Sequence, residues 1–342
     1  MKSKNITIQD VANLAKVSTT TVSHVINETR PVSKDLRDRV NSAIVELGYR
    51  PNILARGLRR NETTMIGLIV PNNANPFYAE VSKGVESVCF EKGYNVILCN
   101  SDRDIEKEVR YTDLLTEKRV DGILFVGAWI GENTSHLENT SKQNIPIVVV
   151  DRFVPNLDID LVVTDNVLGG WLATSHLYGL GHKRIACIAG TPQFTPNAER
   201  IQGYEKALDE ANISINPDLI IRSNFQFEGG YKAAQQLLSQ EDRPTAIFAC
   251  NDLMAIGAMR AAIDLGYSIP EDLSIIGYDD VQMTKYTNPQ LTTISQPMFE
   301  MGNRAAEMLI ERIHESEIPQ RKKILEPNLV VRGTTAKYTG AL

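Results

Sequence analysis

TIQDVANLAKVSTTTVSHVIN, residues 7–27, sets the reading of everything that follows it. Ile8, Val11, Ala12 and Ala15 fall at helical spacing, and after a short turn Val17, Val22, Val25 and Ile26 repeat the pattern. The stretch therefore predicts two short helices that bury one face each in a shared small core. Thr7 is placed to cap the first helix, with Asp10 three residues on, and Ser18 to cap the second. The Ser18 hydroxyl and the N-terminus of that second helix together suit a phosphate oxygen. Thr19, Thr20, Ser23, His24 and Asn27 remain outward, a set of short polar groups of the kind a helix presents when it lies in the DNA major groove.

Charge supports a polyanion as the partner of this end. Residues 1–60 hold 11 Lys and Arg against 5 Asp and Glu, a balance of +6, so with a whole-chain charge of −6 the remainder carries −12. A basic head on an acidic body is an electrostatic footprint for nucleic acid. At 342 residues the chain has room for two or three domains, and its 42% hydrophobic and 23% charged content is that of a soluble globular protein. No apolar run of signal length opens the sequence, and none reaches the roughly 18 residues of a membrane span, so a cytoplasmic location is expected. Cys89, Cys99, Cys187 and Cys250 are far apart and mostly lie in apolar runs, which reads as reduced core thiols rather than a metal site.

Beyond residue 27, Ser33 opens a third helical pattern carrying Leu36, Val40, Ile44 and Leu47, stopped by Gly48. Residues 1–50 thus form a small helix-turn-helix domain. Residues 51–61, PNILARGLRRN, read as a short basic hinge helix that is marginal alone and is ordered by a partner. From residue 62 to 342 the pattern alternates. MIGLIVP, NVILCNS, DGILFVGA and IPIVVVD are apolar strands between amphipathic helices, and DLVVTDN, RIACIAG, DLIIRS, TAIFACND and LSIIGYDD form a second such series. The alternation predicts an α/β body of two doubly wound parallel-sheet lobes with a ligand between them at the strand ends. The first lobe is expected at about 62–160 plus 293–323, the second at about 161–292 plus 324–342.

These features together resemble the LacI/GalR family of bacterial transcription regulators, whose bodies are similar to periplasmic sugar-binding proteins (type I). The resemblance covers essentially the whole chain and rests on residues 7–27, YRPNILARGLRR, NPFYAEVSKGVE, LGHKRIACIAG with ERIQGYEKAL, PTAIFACNDLMAIGAMRA, and LSIIGYDDV with LTTISQP. It implies that Thr19, Thr20 and His24 reach base edges while Thr7, Ser18, Ser23 and Asn27 hold phosphates, with Thr21 in the same contact set. His24 stands where relatives often carry Arg. The resemblance also implies a homodimer on a pseudo-palindromic duplex operator, with Asn52, Ala55 and Leu58 of the hinge on DNA and Leu58 wedged between base pairs. The heptad helix that makes some relatives tetramers is missing after LEPNLVVRGTT.

The effector set can be argued from residue chemistry as well. Asp151 and Arg152 follow the strand IPIVVV, and a carboxylate beside a guanidinium accepts from and donates to neighbouring sugar hydroxyls. Asn251 and Asp279 end two further strands, and Arg200 opens a helix. Phe77 and Phe225 offer aromatic faces, as does Phe227, and Asn75 and Gln296 add polar groups. Together these positions look like the set of ribose-type binding proteins, so a pentose such as ribose is the expected effector, with no cofactor and no metal. ILCNSD, KRVDGIL and RPTAIFA also resemble a purine-responsive branch of the family, and a phosphoprotein corepressor is a third option.

Other classes fit less well. The five histidines are scattered, no G-x-S-x-G or P-loop occurs, GLG at 179–181 is too short for a dinucleotide fingerprint, and His182 reads as turn packing, so no enzyme is expected. A transport-type sugar-binding protein would need a secretion signal and lack the basic head.

Overall fold

A computed structural model describes residues 6–27, 30–49, 62–127, 134–154, 157–191 and 195–340. The chain divides into two compact units, residues 1–63 and 64–342. The expected hinge at 51–61, with Asn52, Ala55 and Leu58, lies outside the described residues.

The first unit is three helices: α1 (Ile8–Ala15), α2 (Thr19–Asn27) and α3 (Lys34–Leu47). Thr7 and Asp10 form a reciprocal capping box, in which the Thr7 backbone N–H donates to Asp10 Oδ2 at 2.8 Å. Lys16 ends α1 in the left-handed region, and Gly48 ends α3 there at φ +61°. Val11, Ala12, Ala15, Val22, Val25, Val40 and Ala43 are the buried core. One contact was not legible in the sequence. Arg39 of α3 donates to the carbonyls of Ala15 at 2.6 Å and Lys16 at 3.1 Å, satisfying the C-terminal end of α1 and fixing the turn into α2.

The second unit is two six-stranded sheets with helices between their strands. The first sheet contains β1 (Met65–Val70), β2 (Asn95–Asn100), β3 (Gly122–Val126), β4 (Ile147–Val150), β5 (Asp160–Thr164) and β11 (Lys322–Leu325), ordered β11-β5-β4-β3-β1-β2 and parallel throughout. Helices α4 (Pro76–Glu91), α5 (Ile105–Glu117), α6 (Ser135–Lys142) and α11 (Met298–His314) accompany it. The second contains β6 (Ile185–Ala189), β7 (Ile220–Arg222), β8 (Ala246–Ala249), β9 (Ser274–Asp279), β10 (Thr292–Ser295) and β12 (Asn328–Val330), ordered β12-β10-β9-β8-β6-β7, with only β12 antiparallel. Its helices are α7 (Asn166–Gly179), α8 (Thr195–Glu210), α9 (Phe227–Leu238) and α10 (Asp252–Asp264). Central strands are apolar and buried on both faces, as parallel sheets require.

The expected lobe boundaries need correction. β5 does not open the second lobe at residue 161 but pairs with β4 in the first sheet, and β10 does not belong to the first lobe but pairs with β9 in the second. β11 sits whole in the first sheet across the expected cut at 323/324. The chain crosses between lobes three times, at about residues 165, 296 and 326, and an alternating pattern says nothing about which sheet a strand joins. Asp160, fully buried in β5, ties α11 and the segment before β11 into the first lobe: it accepts from Arg312 Nη2 at 2.8 Å and Arg321 Nη2 at 2.7 Å.

Candidate ligand cleft and nucleic-acid interface

The strand ends of both lobes face one cleft, where chain direction and sheet order put loops from several strands together. Its walls are Asn75, Phe77, Tyr78, Arg103, Asp151, Arg152, Pro196, Arg200, Phe225, Asn251 and Asp279. Eight of the nine expected residues line it directly. Gln296 stands behind, its amide donating to Asp279 Oδ1 at 2.7 Å. Phe227, offered as an alternative aromatic face, is exposed at the start of α9 and absent from the walls.

Four lining residues, Arg103, Asp151, Phe225 and Asp279, have positive φ values of 60°, 62°, 62° and 115°. Such backbone is costly for residues with a Cβ and gathers at binding sites. The space for Phe225 comes from Gly190, whose added Cβ would lie 1.9 Å from the ring. Asn75 and Asn251 each cap a helix through Oδ1, toward Phe77 N and Met254 N at 3.0 Å, so two helix N-termini open on the cleft. Asn251 also donates to the Phe225 carbonyl at 3.2 Å. Phe77 and Tyr78 meet edge to face at 5.1 Å.

Charge in the cleft is dense and largely buried. The Arg200 side chain is buried, donates to Asn166 Oδ1 at 2.9 Å and the Cys250 carbonyl at 2.5 Å, lies 3.8 Å from Asp279 Oδ1, and stacks 3.8 Å from the Tyr278 ring centroid. Burial pushes the Asp279 carboxyl up to about 7 against the pull of Arg200 and the Gln296 hydrogen bond. Burial likewise lifts Asp151 to about 6, with Arg200 and Arg152 opposing. Asp151 Oδ1 is buried with no hydrogen-bond partner. A buried acceptor left in this state is costly unless a ligand donates to it. The arrangement presents two carboxylates, guanidinium groups, amides and aromatic faces to one small space, a set able to accept from and donate to a small polar ligand.

Sequence reasoning missed Tyr78, Arg103 and Pro196. Tyr78 adjoins Phe77, and Arg103 follows the end of β2 as Asp151 follows the end of β4, so the strand-end rule that selected Asp151 would have found it.

On the head, Ser18 Oγ accepts from Thr21 N at 3.0 Å and lies 2.9 Å from Thr21 Oγ1, which makes it the cap of α2. Asn27 donates to the Ser23 carbonyl at 2.9 Å. Ser18, Thr20 and Thr7 are exposed, while Thr19, Thr21, Ser23, His24 and Asn27 are half-buried on the same short helix.

Residues 7–52 match the model of bacterial regulatory proteins of the lacI family, and residues 174–335 match a periplasmic binding protein-like domain. The HTH-type transcriptional repressor PurR of Vibrio vulnificus is 44% identical over 331 residues, covering 97% of this chain and 99% of that one. The chain belongs to the LacI family. The ribose operon repressor of Haemophilus influenzae is 42% identical over 326 residues, covering 95% of this chain and 97% of its own. A LacI-family regulator of Enterococcus faecium with bound ribose is 37% identical, with a TM-score of 0.73 over 80% of this chain and 100% of that one. This LacI-family protein is therefore a DNA-binding transcriptional regulator with a helix-turn-helix head, two α/β lobes and no enzymatic role. Among the described residues no helix is long and apolar enough to cross a membrane, and no cluster of His, Cys, Asp or Glu could hold a metal ion. All four cysteines are buried and unbridged, and His182 is held by Thr245 and Ser274 hydroxyls at 3.0 Å.

Proposed function

We propose that this protein is a cytoplasmic repressor whose operator affinity is set by a pentose, ribose in the first instance, bound between the lobes at Asn75, Phe77, Asp151, Arg152, Arg200, Phe225, Asn251 and Asp279, with Gln296 behind. The observation that carries the reading is the pair of buried carboxylates, Asp151 and Asp279, set among guanidinium groups in one cleft. Adjacent hydroxyls on a sugar each donate to such carboxylates and accept from such cations, which matches a cleft that sets acids and guanidinium groups side by side. The ribose operon repressor and the ribose-bound regulator among the relatives support the same ligand. The PurR relative supports the purine alternative, and a competition experiment decides between them.

DNA contact is assigned to Thr7, Ser18, Thr19, Thr20, Thr21, Ser23, His24 and Asn27, with Asn52, Ala55 and Leu58 of the hinge. A homodimer supplies the two half-sites. β2 is an unpaired sheet edge with Leu98 exposed, flanked by exposed Phe90 and Leu114, and Ile263, Leu265, Met283 and Tyr286 are exposed on the second lobe. An open strand edge and exposed apolar groups of this size favour burial against a second copy. Closure of the cleft then shifts the lobes across that interface and changes the order of the hinge.

Calorimetry on the full chain with ribose, other pentoses, hypoxanthine and guanine tests the ligand. Ribose binds and the purines do not; the reverse would overturn the pentose reading. The pH profile has a fixed sign. Sugar hydroxyls favour ionised carboxylates, and Asp279 and Asp151 start near 7 and 6, above the ordinary carboxylate value. Ribose affinity is therefore highest above pH 7 and falls by on the order of tenfold or more down to pH 5.5, with proton release on binding near pH 6.5. In the ligand-free protein the same two groups act oppositely. Their contribution to stability is fully present below about pH 4 and is lost as pH rises through about 7.

A further inference from the structure

We infer that Arg103 is a latch between the lobes, a positioning residue that holds the effector cleft closed and sets how fast the effector enters and leaves. Arg103 belongs to the first lobe, three residues past the end of β2, with its backbone at φ +60°. Its Nη1 donates to the carbonyl of Asn224 at 3.1 Å, and Asn224 lies in the second lobe between β7 and α9. The guanidinium also sits 5.8 Å from the ring centroid of Phe225, itself an effector wall. One side chain thus ties the tip of the first lobe to the segment that carries an aromatic face of the second. That segment is itself built to stay in place: Ser223 N donates to the Ala189 carbonyl at 2.7 Å, and Gln226 N donates to Asn224 Oδ1 at 3.1 Å.

Opening the cleft separates Arg103 from Asn224, because the two belong to different sheets. The latch therefore stabilises the closed form whether or not the cleft is filled. A ligand must wait for it to break on entry and again on exit, so it slows both steps while changing the equilibrium less than either rate. Ordinary structural damage does something else, raising the dissociation rate with no gain in association.

The inference rests on this cleft being the effector site, and the test separates the two. Ribose association and dissociation rates are measured by stopped flow on the full-length wild type, Arg103→Ala and Arg103→Lys, and amide hydrogen exchange of residues 222–227 is followed on the same proteins without sugar. Arg103→Ala is expected to raise both rates, dissociation by about tenfold, and to speed exchange of the segment; Arg103→Lys, which keeps a donor, recovers most of both effects. Rates within twofold of wild type together with unchanged exchange would overturn the latch. Should wild type bind no pentose, the effector assignment fails, and the exchange measurement alone upholds or overturns the latch.

Discussion

Replacing Arg200 by alanine lowers ribose affinity more than 100-fold and destabilises the body as well. The side chain is 5% exposed and satisfies three different groups: the Asn166 side chain, the Cys250 carbonyl and the Tyr278 ring. It is also the strongest opposing charge for both Asp151 and Asp279. Removing one partner of a buried charge set leaves the other uncompensated, at a cost of about 3–5 kcal/mol. Each 1.4 kcal/mol of that loss felt in binding is about tenfold in affinity. Arg200→Lys fails nearly as badly, because a single ammonium cannot reproduce a fork that bonds two acceptors and stacks on a ring. Titration calorimetry with a parallel urea melt reads both effects. Ribose binding within threefold of wild type in Arg200→Ala would remove this residue from the site.

Gly302→Val abolishes the packing of the first lobe. Helices α4 and α11 cross so closely that a Cβ on Gly302 would lie 2.0 Å from the Val81 carbonyl oxygen, and one on Gly84 would lie 2.1 Å from the Phe299 carbonyl oxygen. Both obstacles are main chain, so no side chain can swing aside and the helices must separate. Even Gly302→Ala is expected to cost about 3 kcal/mol, the upper range for overpacking, and valine more. Gly170 with Gly203, and Gly230 with Gly257, make the same close approach in the second lobe. Arg304→Ala, two residues along and exposed, is the control and leaves the melting midpoint close to that of wild type. A Gly302→Val protein melting with wild-type cooperativity and midpoint would show that this crossing does not hold the lobe together.

Those glycine pairs mark where sequence reading stops. Periodicity finds a buried face, as it did for Val11, Val22 and Val40 in the head and for MIGLIVP and TAIFACND in the body, because burial of large apolar groups leaves a pattern in one segment. Contact between two backbones leaves only a missing side chain in each of two distant segments. The lobe boundaries were blurred for a related reason: β5 and β10 look like their neighbours in composition, and only pairing with β4 and β9 assigns them. The ligand cleft was largely legible, since Asp151, Asn251 and Asp279 sit where apolar strands end. Arg103, three residues past the end of β2, is open to the same strand-end rule; what the sequence hides is its bond to Asn224, a residue of the other lobe. The Arg39 bonds to the end of α1 were hidden in the same way, by a partner 24 residues distant.

The central claim is that a sugar in the body alters the grip of the head on duplex DNA. It is tested most directly by fluorescence anisotropy of the full chain on a duplex it has selected from a random pool, titrated with and without saturating ribose. Ribose is predicted to change operator affinity by about 5–150-fold, the span of 1–3 kcal/mol of coupling, and the Arg200→Ala protein is predicted not to respond. Identical isotherms with and without ribose, in a protein that calorimetry shows to be saturated with it, would contradict the account.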